Sequence, residues 1–422
     1  GCRSIATPDR IPSPMSTAPT PPPQPPPPAQ PTSRRLLSLD ALRGFDMFWI
    51  VGGEELIQAL YKAWPIAPLH LLAGQMHHKN WGGVAFYDLI FPLFVFIVGV
   101  SLVFSLSRAI ERGGKAQALK RILLRSLALY AFGLLYYGGL SDGFDHIRWL
   151  GVLQRIAICY LGASVLFCAF RLRGLVVVCA ALLLGYWALV SFTSIRDFSL
   201  SRQHLKELHL DSGSAETAAL FYSTTNRVRG RFEDGLNLTH QIDFQYLPGR
   251  RLNGAYDPEG LLSTLPAIAT CLLGVFAGLF LRNEAVSDRR KVLCLLGAGT
   301  MGVACGFLWG LEFPIIKKLW TSSYVLIAGG YGCLLLGAFY QMIEIWQWRR
   351  WCLPFVWIGM NPITIYLVSS LVSFGNLAKR LVGGSVQHAL GDAGHLLVSL
   401  VAVTLMFALV RFLYQRKIFL RL

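Results

Sequence analysis

The stretch Tyr87-Asp88-Leu89-Ile90-Phe91-Pro92-Leu93-Phe94-Val95-Phe96-Ile97-Val98-Gly99 sets the fold class. One carboxylate is followed by an apolar run that extends the segment over about 84–106. That is the length a helix needs to cross a bilayer core roughly 30 Å thick. Similar runs recur through the 422-residue chain, which is 54% hydrophobic, above the roughly 45–50% usual for soluble domains. Mean hydropathy is +0.49. Ten spans are expected, over about 44–60, 84–106, 118–138, 149–170, 174–194, 260–281, 291–311, 322–343, 353–373 and 394–413. The expected fold is therefore all-α, a single polytopic transmembrane helix bundle.

Loop charge orients the bundle. The net charge is +16, yet the basic residues sit mainly in short loops between apolar runs, which points to membrane orientation and anionic lipid and away from nucleic acid. One set of loops and flanks holds 21 Lys and Arg, including Arg43, Lys120, Arg121, Arg289 and Arg416; the alternate set holds 7. Both ends are then cytoplasmic, and the long polar segment 195–259, between spans five and six, is external. The expected domain is 36–415, followed by a cytoplasmic tail at 416–422. Residues 1–35, with a proline-rich run from Pro21 to Pro31, are expected to be disordered or polyproline-like. Gly1-Cys2 reads as the scar of a lipoprotein cleavage site or as an incidental pair; a start at Met15 is equally open. All nine histidines fall on the external side of this topology. Eight of the nine cysteines lie within or at the ends of apolar spans and none forms a C-x-x-C pair, so neither a disulfide framework nor a metal site is expected.

Few ionisable residues enter the spans, and each needs a partner or a wet cavity. Asp88 sits roughly 6 Å below the outer boundary and Arg155 roughly 9 Å, at 1.5 Å per residue. An Asp88–Arg155 pair is the economical arrangement. His78 lies just outside, in His77-His78-Lys79-Asn80-Trp81-Gly82-Gly83. A neutral imidazole there takes a proton from an attacking amine, or accepts the acyl group itself; a solvated surface histidine is the bland alternative. Asp40, Arg43 and Asp46 are spaced to stack on one helix face. Glu54 and Glu55 follow Gly52-Gly53 at the outer mouth, where either activates a nucleophile or is an ordinary helix-end carboxylate. Asp257-Pro258-Glu259 has the chemistry of a helix N-terminus. Asn361-Pro362 marks a kink that frees backbone groups at membrane depth.

The ordered blocks Ser38-Leu39-Asp40-Ala41-Leu42-Arg43-Gly44, His78-x-x-Trp81-x-Gly83 with Asp88-Leu89-Ile90-Phe91-Pro92, Gly151-Val152-Leu153-Gln154-Arg155, Asp257-Pro258-Glu259-Gly260-Leu261-Leu262-Ser263-Thr264 and Gly359-Met360-Asn361 resemble the heparan-alpha-glucosaminide N-acetyltransferase family and its bacterial relatives, over roughly 36–415. The resemblance implies acetyl-CoA as cytoplasmic donor and a glucosamine-type amine as external acceptor. It places the reactive histidine at His78. Animal members carry an asparagine near the end of the first span, where counting from Arg43-Gly44 gives Glu54; that change points to a different acceptor or to a carboxylate base.

The expected site is then His78, Glu54 and Asp88 as catalytic residues. Trp81, Arg155, Asp46, Asp257, Glu259 and Asn361 bind the acceptor; Arg43, Lys120 and Arg121 bind the donor. The expected location is a bacterial inner membrane, and a homodimer is compatible with the pattern. A transporter of sugars or organic anions is the rival reading; paired broken helices and an internal repeat would favour it. The 21-to-7 asymmetry predicts that a compartment-sensitive reporter fused after Leu422 is active only in the cytoplasm; activity confined to the outside would reverse the topology.

Overall fold

The computed structural model describes Gly1 and residues 36–139, 141 and 143–420. The chain divides into two units, Gly1–Arg35 and Leu36–Leu422. The tail expected over 1–35, apart from Gly1, lies outside the described residues, as do the last two residues of the expected 416–422 tail.

The second unit is helical. It opens with α1 (Leu37–Phe48), a π-helical turn over Trp49–Gly53, α2 (Glu54–Ala63) and α3 (Ala67–Gln75). Then come α4 (Phe86–Tyr136), α5 (Val152–Ala169) and α6 (Leu172–Phe192). The segment expected as an external loop carries structure of its own. A two-residue ribbon pairs β1 (Ile195–Arg196) antiparallel to β2 (Arg227–Val228), with Ile195 opposite Val228. Three short helices, α7 (Arg202–Glu207), α8 (Ala215–Ser223) and α9 (Leu238–Tyr246), are each capped by a side chain, from Ser201, Ser214 and Asn237. Leu200, Leu205, Phe221, Ala255 and Tyr256 form a small core beneath them. The chain continues through α10 (Thr264–Arg282), α11 (Asp288–Trp309), α12 (Ser322–Tyr340), α13 (Leu353–Met360), α14 (Pro362–Leu371), α15 (Phe374–Val382), α16 (Ser385–Ala389) and α17 (Asp392–Gln415).

Among the described residues, seven helices are long and apolar enough to cross a membrane, or eight if α13 and α14, bent by 79° at Asn361, make one span. The ten expected spans differ at two places. The first expected span is interrupted by the π-helical turn, which takes up Gly52 and Gly53. The second and third fall within α4, whose 51 residues would run roughly 76 Å if straight. Gly114 breaks α4, with φ 73° and ψ 175°. A left-handed φ is accessible to glycine without a Cβ penalty. Leu106 before the break and Ala118 and Ile122 after it share one core cluster and line one cavity of about 410 Å³, so the two arms face each other.

Close helix crossings hold the bundle together. A Cβ on Gly44 would lie 1.7 Å from the carbonyl oxygen of Phe355, and one on Gly359 would lie 1.9 Å from that of Asp40. Helices α1 and α13 therefore touch backbone to backbone, as small residues allow within a membrane. Gly359→Ala should lower stability by roughly 1–3 kcal/mol, the usual effect of overpacking. Gly297 on α11 has open space at its Cβ, and Gly297→Ala should leave stability unchanged. Thermal unfolding in detergent separates the two; equal midpoints would show that the crossing tolerates a methyl group.

Candidate active site

The site begins at the start of α4. Ala85 is extended and Asp88 occupies the first turn. The Asp88 carboxylate reaches back to accept the Ala85 N–H at 3.1 Å, satisfying one of the open donors of the helix end. It also accepts the Lys79 N–H at 3.2 Å, which fixes the loop carrying His78. His78 Nδ1 stands 2.8 Å from Asp88 Oδ1, and the Lys317 ammonium 3.4 Å from the same oxygen. Asp88 is 1% exposed and His78 53%, so a buried anion orients a reachable imidazole. At 2.8 Å a carboxylate requires a donor, so in the neutral ring the proton sits on Nδ1 and Nε2 is the acceptor nitrogen.

Pro92 supports this corner from below. It has no N–H to donate to the Asp88 carbonyl one turn back. The Tyr324 hydroxyl on α12 fills the gap, donating to that carbonyl at 2.5 Å. Tyr87 lies beside the imidazole, ring centroids 4.8 Å apart, and the Glu54 carboxylate stands near its hydroxyl. Glu54 thus joins the His78 corner through a tyrosine. His77 is turned elsewhere; its Nε2 meets Gln58 at 3.0 Å.

Lys317 comes from the connection between α11 and α12, roughly 240 residues away in sequence. Its Nζ is 3.0 Å from His78 Nδ1 and 3.5 Å from Nε2. Burial lowers its proton affinity, a shift that Asp88 and Glu259 oppose without cancelling. Trp81 ties the corner to the 195–259 segment: its Nε1–H donates to the Phe232 carbonyl at 2.8 Å. Its ring meets His240 edge-on at 5.6 Å and Lys318 at 5.7 Å.

The other expected residues divide. Asp257 and Glu259 are held by Arg148, which donates Nε to Asp257 Oδ2 at 2.9 Å and Nη2 to Asp257 Oδ1 at 2.7 Å and Glu259 Oε2 at 2.6 Å. Burial pulls the Arg148 pKa down, and the hydrogen bonds and charge of Asp257, with Glu259, raise it overall. Burial raises the Glu259 carboxyl, reinforced by Asp257. Asp243 sits beneath this loop, accepting the Leu261 N–H at 2.8 Å, and burial pushes its carboxyl up to about 7.

The expected Asp88–Arg155 pair is not present. Asp88 turns back to its own helix end, while Arg155 donates to the Gly260 carbonyl at 3.2 Å and to the Ser263 hydroxyl. The Arg155 guanidinium also lies 5.0 Å from the Trp320 ring. Matching depth did not fix direction around the helix axis. The proposed stack on α1 is likewise incomplete: Arg43 bonds Asp40 at 3.3 Å, Ser101 at 2.6 Å and the Gly359 carbonyl at 3.2 Å. Asp46 is fully buried, and neither carboxylate oxygen has a hydrogen-bond partner among the described residues. Asn361, at the bend, binds the Ile418 carbonyl at 3.1 Å and the Leu420 N–H at 3.3 Å, away from the His78 corner. Of the expected donor-binding residues, Arg121 lines the 410 Å³ cavity together with Arg125, and Lys120 is exposed beside it. Lys317 and Tyr324 were missing from the expected site. The one available signal was Lys317-Lys318, a lysine pair in a short loop of the charge-poor set.

Residues 35–205, which include Glu54, His78, Asp88, Arg148 and Arg155, match the family model described as heparan-alpha-glucosaminide N-acetyltransferase, catalytic. Over these residues the chain is similar to that family. It is 27% identical over 392 residues to the mouse heparan-alpha-glucosaminide N-acetyltransferase, covering 81% of this chain and 56% of the relative. The human heparan-alpha-glucosaminide N-acetyltransferase is 27% identical over 383 residues, covering 81% and 55%. The chain thus spans about half the length of the curated relatives it matches.

Arg148→Ala would leave Asp257 and Glu259 without their guanidinium, a loss on the order of 3–5 kcal/mol for a broken buried pair. Unfolding in detergent should show that loss, and adding Asp257→Asn and Glu259→Gln should restore part of it. A change below about 1 kcal/mol would mean that the clamp does not hold this loop.

Proposed function

We propose that this protein is a membrane-embedded acyltransferase that moves an acetyl group from acetyl-CoA to the amine of a glucosamine-type sugar. The observation that carries the proposal is the 2.8 Å contact between His78 Nδ1 and the buried Asp88 carboxylate, at a partly exposed imidazole. A carboxylate that holds Nδ1–H fixes the ring and makes Nε2 the basic nitrogen, the arrangement a general base or a nucleophile needs. The names of the relatives supply the acetyl group and the glucosaminide acceptor, and the resemblance in the sequence supplies acetyl-CoA as donor.

In direct transfer, the acceptor nitrogen forms a bond to the thioester carbonyl carbon, its proton passes to His78 Nε2, and the carbon–sulfur bond breaks. The proton then goes to the departing thiolate. In the two-step route, Nε2 forms the bond to the carbonyl carbon first and the carbon–sulfur bond breaks to release the thiolate; the amine then attacks the acyl-imidazole, the carbon–Nε2 bond breaks, and the amine's proton passes through the freed Nε2 to the thiolate. Glu54, through Tyr87, and Asp88 act as positioning residues. Trp81 packs beside the acceptor, and Asp257 and Glu259, in the grip of Arg148, shape its wall. Arg121, with Lys120 beside it, meets the donor's phosphates at the cavity between the two arms of α4.

The proposed topology has ten spans, with the arms of α4 counted separately and the α1–α2 run crossing once. Both ends are cytoplasmic, and the domain is 36–415. The donor then enters from the cytoplasm and the acceptor from the external face, in a bacterial inner membrane.

Purified protein given radiolabelled acetyl-CoA and a panel of amino sugars should produce labelled N-acetyl sugar. His78→Ala should lose about 10²-fold or more of that rate while keeping its fold, the scale of losing a positioned base or nucleophile. His77→Ala should change it by less than about threefold, because His77 is engaged with Gln58. Wild-type transfer by His78→Ala would remove His78 from the chemistry.

A further inference from the structure

The oxygen of a thioester carbonyl gains negative charge whichever nucleophile attacks, and it needs a donor fixed in place before the reaction. Lys317 meets that requirement. Its ammonium has three N–H donors. Asp88 Oδ1, at 3.4 Å, takes one. His78 Nδ1, at 3.0 Å, takes none, because that nitrogen already carries the proton given to Asp88. Nε2, the nitrogen the proposed chemistry uses, is 3.5 Å from Nζ, so a carbonyl group brought to Nε2 comes within reach of the remaining donors.

The lysine is also held rigidly. Gly82, four residues after His78, forms an isolated antiparallel bridge with Ile316, and the Gly83 N–H donates to the Ile315 carbonyl at 2.9 Å. The Ile316 N–H donates to Thr321 Oγ1 at 3.1 Å, and the Trp320 N–H to the Lys317 carbonyl at 2.9 Å. Trp320 takes a left-handed φ of 52°, buries its ring and donates Nε1–H to Thr270 at 3.0 Å. The two loops that carry His78 and Lys317 are therefore joined backbone to backbone. The neighbouring Lys318 lies over Trp81.

We propose that Lys317 is a further catalytic residue, whose ammonium donates a hydrogen bond to the carbonyl oxygen of the acyl donor as that oxygen becomes an oxyanion. The proposal rests on the acyltransferase reading. The nucleophile bonds to the carbonyl carbon and the carbon–oxygen electron pair moves to oxygen, where Lys317 meets it. The pair returns as the carbon–sulfur bond breaks and the thiolate leaves with the proton held by His78. Lys317 keeps its own proton throughout. Its lowered proton affinity makes the ammonium a stronger donor than a solvated lysine.

The test measures acetyl transfer from acetyl-CoA to glucosamine by wild type, Lys317→Ala, Lys317→Gln and Lys317→Arg, each first shown to unfold at the wild-type temperature in detergent. Wild-type turnover comes first: its absence for every amine would defeat the acyltransferase reading itself. Given wild-type turnover, Lys317→Ala should lose about 10²–10³-fold in kcat, the range for one oxyanion donor, with KM for acetyl-CoA within about threefold. Lys317→Gln, which keeps a neutral donor, and Lys317→Arg should fall between. Added ethylamine should restore Lys317→Ala by about fivefold or more, since an ammonium can re-enter the vacated space. Wild-type kcat in folded Lys317→Ala or Lys317→Gln, or a loss that ethylamine leaves unchanged, overturns the proposal. Should Lys317→Ala not fold, the kcat ratio of Lys317→Gln to wild type decides alone: a fall of about tenfold or more sustains it and a smaller one overturns it.

Discussion

The carboxylate of Asp88 is where three parts of the chain meet. It closes the open end of α4, holds the His78 loop by the Lys79 N–H, and faces the ammonium of Lys317 from the α11–α12 connection. A buried carboxylate is expensive unless donors surround it. Here the donors are the elements of the site, so the same contacts that make the anion tolerable also place the imidazole. Remove the carboxylate and the loop, the lysine and the ring each lose their common reference point.

The membrane setting makes this arrangement strict. Backbone groups inside apolar surroundings need partners within the protein. Pro92 breaks that rule one turn below Asp88, and Tyr324 repairs it from α12. The repair joins α4 to α12, the helix that follows the Lys317 loop. Close crossings such as Gly44 against Phe355 then fix helix positions that apolar burial alone would leave free, because lipid is as apolar as leucine. At the other end of the site, Arg148 gathers Asp257 and Glu259 and so ties the 195–259 segment to the start of α5.

Much of this was legible in residue order. The apolar runs gave the helices, Asp88 announced itself as a carboxylate one turn into a span, and Asn361-Pro362 marked the bend. The family blocks singled out His78 over His77. Partners were harder to read. Depth matched Asp88 with Arg155, but depth says nothing of direction around a helix axis, and the two side chains turn apart. Lys317 reaches His78 only because two short loops bridge at Gly82 and Ile316, a contact between segments far apart in sequence with no local periodicity to betray it. The 195–259 segment looked like a loop because its helices are too short for an apolar period. Its caps at Ser201, Ser214 and Asn237 were the signal available. Gly113-Gly114 likewise marked the break that turns one long helix into two facing arms.

The central claim is that Asp88 holds the proton of a neutral His78 ring on Nδ1 and leaves Nε2 open. Nitrogen-15 NMR of histidine-labelled protein reads this directly, with His78 assigned by difference against His78→Ala and the pH set above the range in which histidine is charged. The account predicts a protonated Nδ1 and an unprotonated Nε2 for His78, with that preference lost in Asp88→Asn. A His78 signal with its proton on Nε2 in the wild-type protein would contradict it.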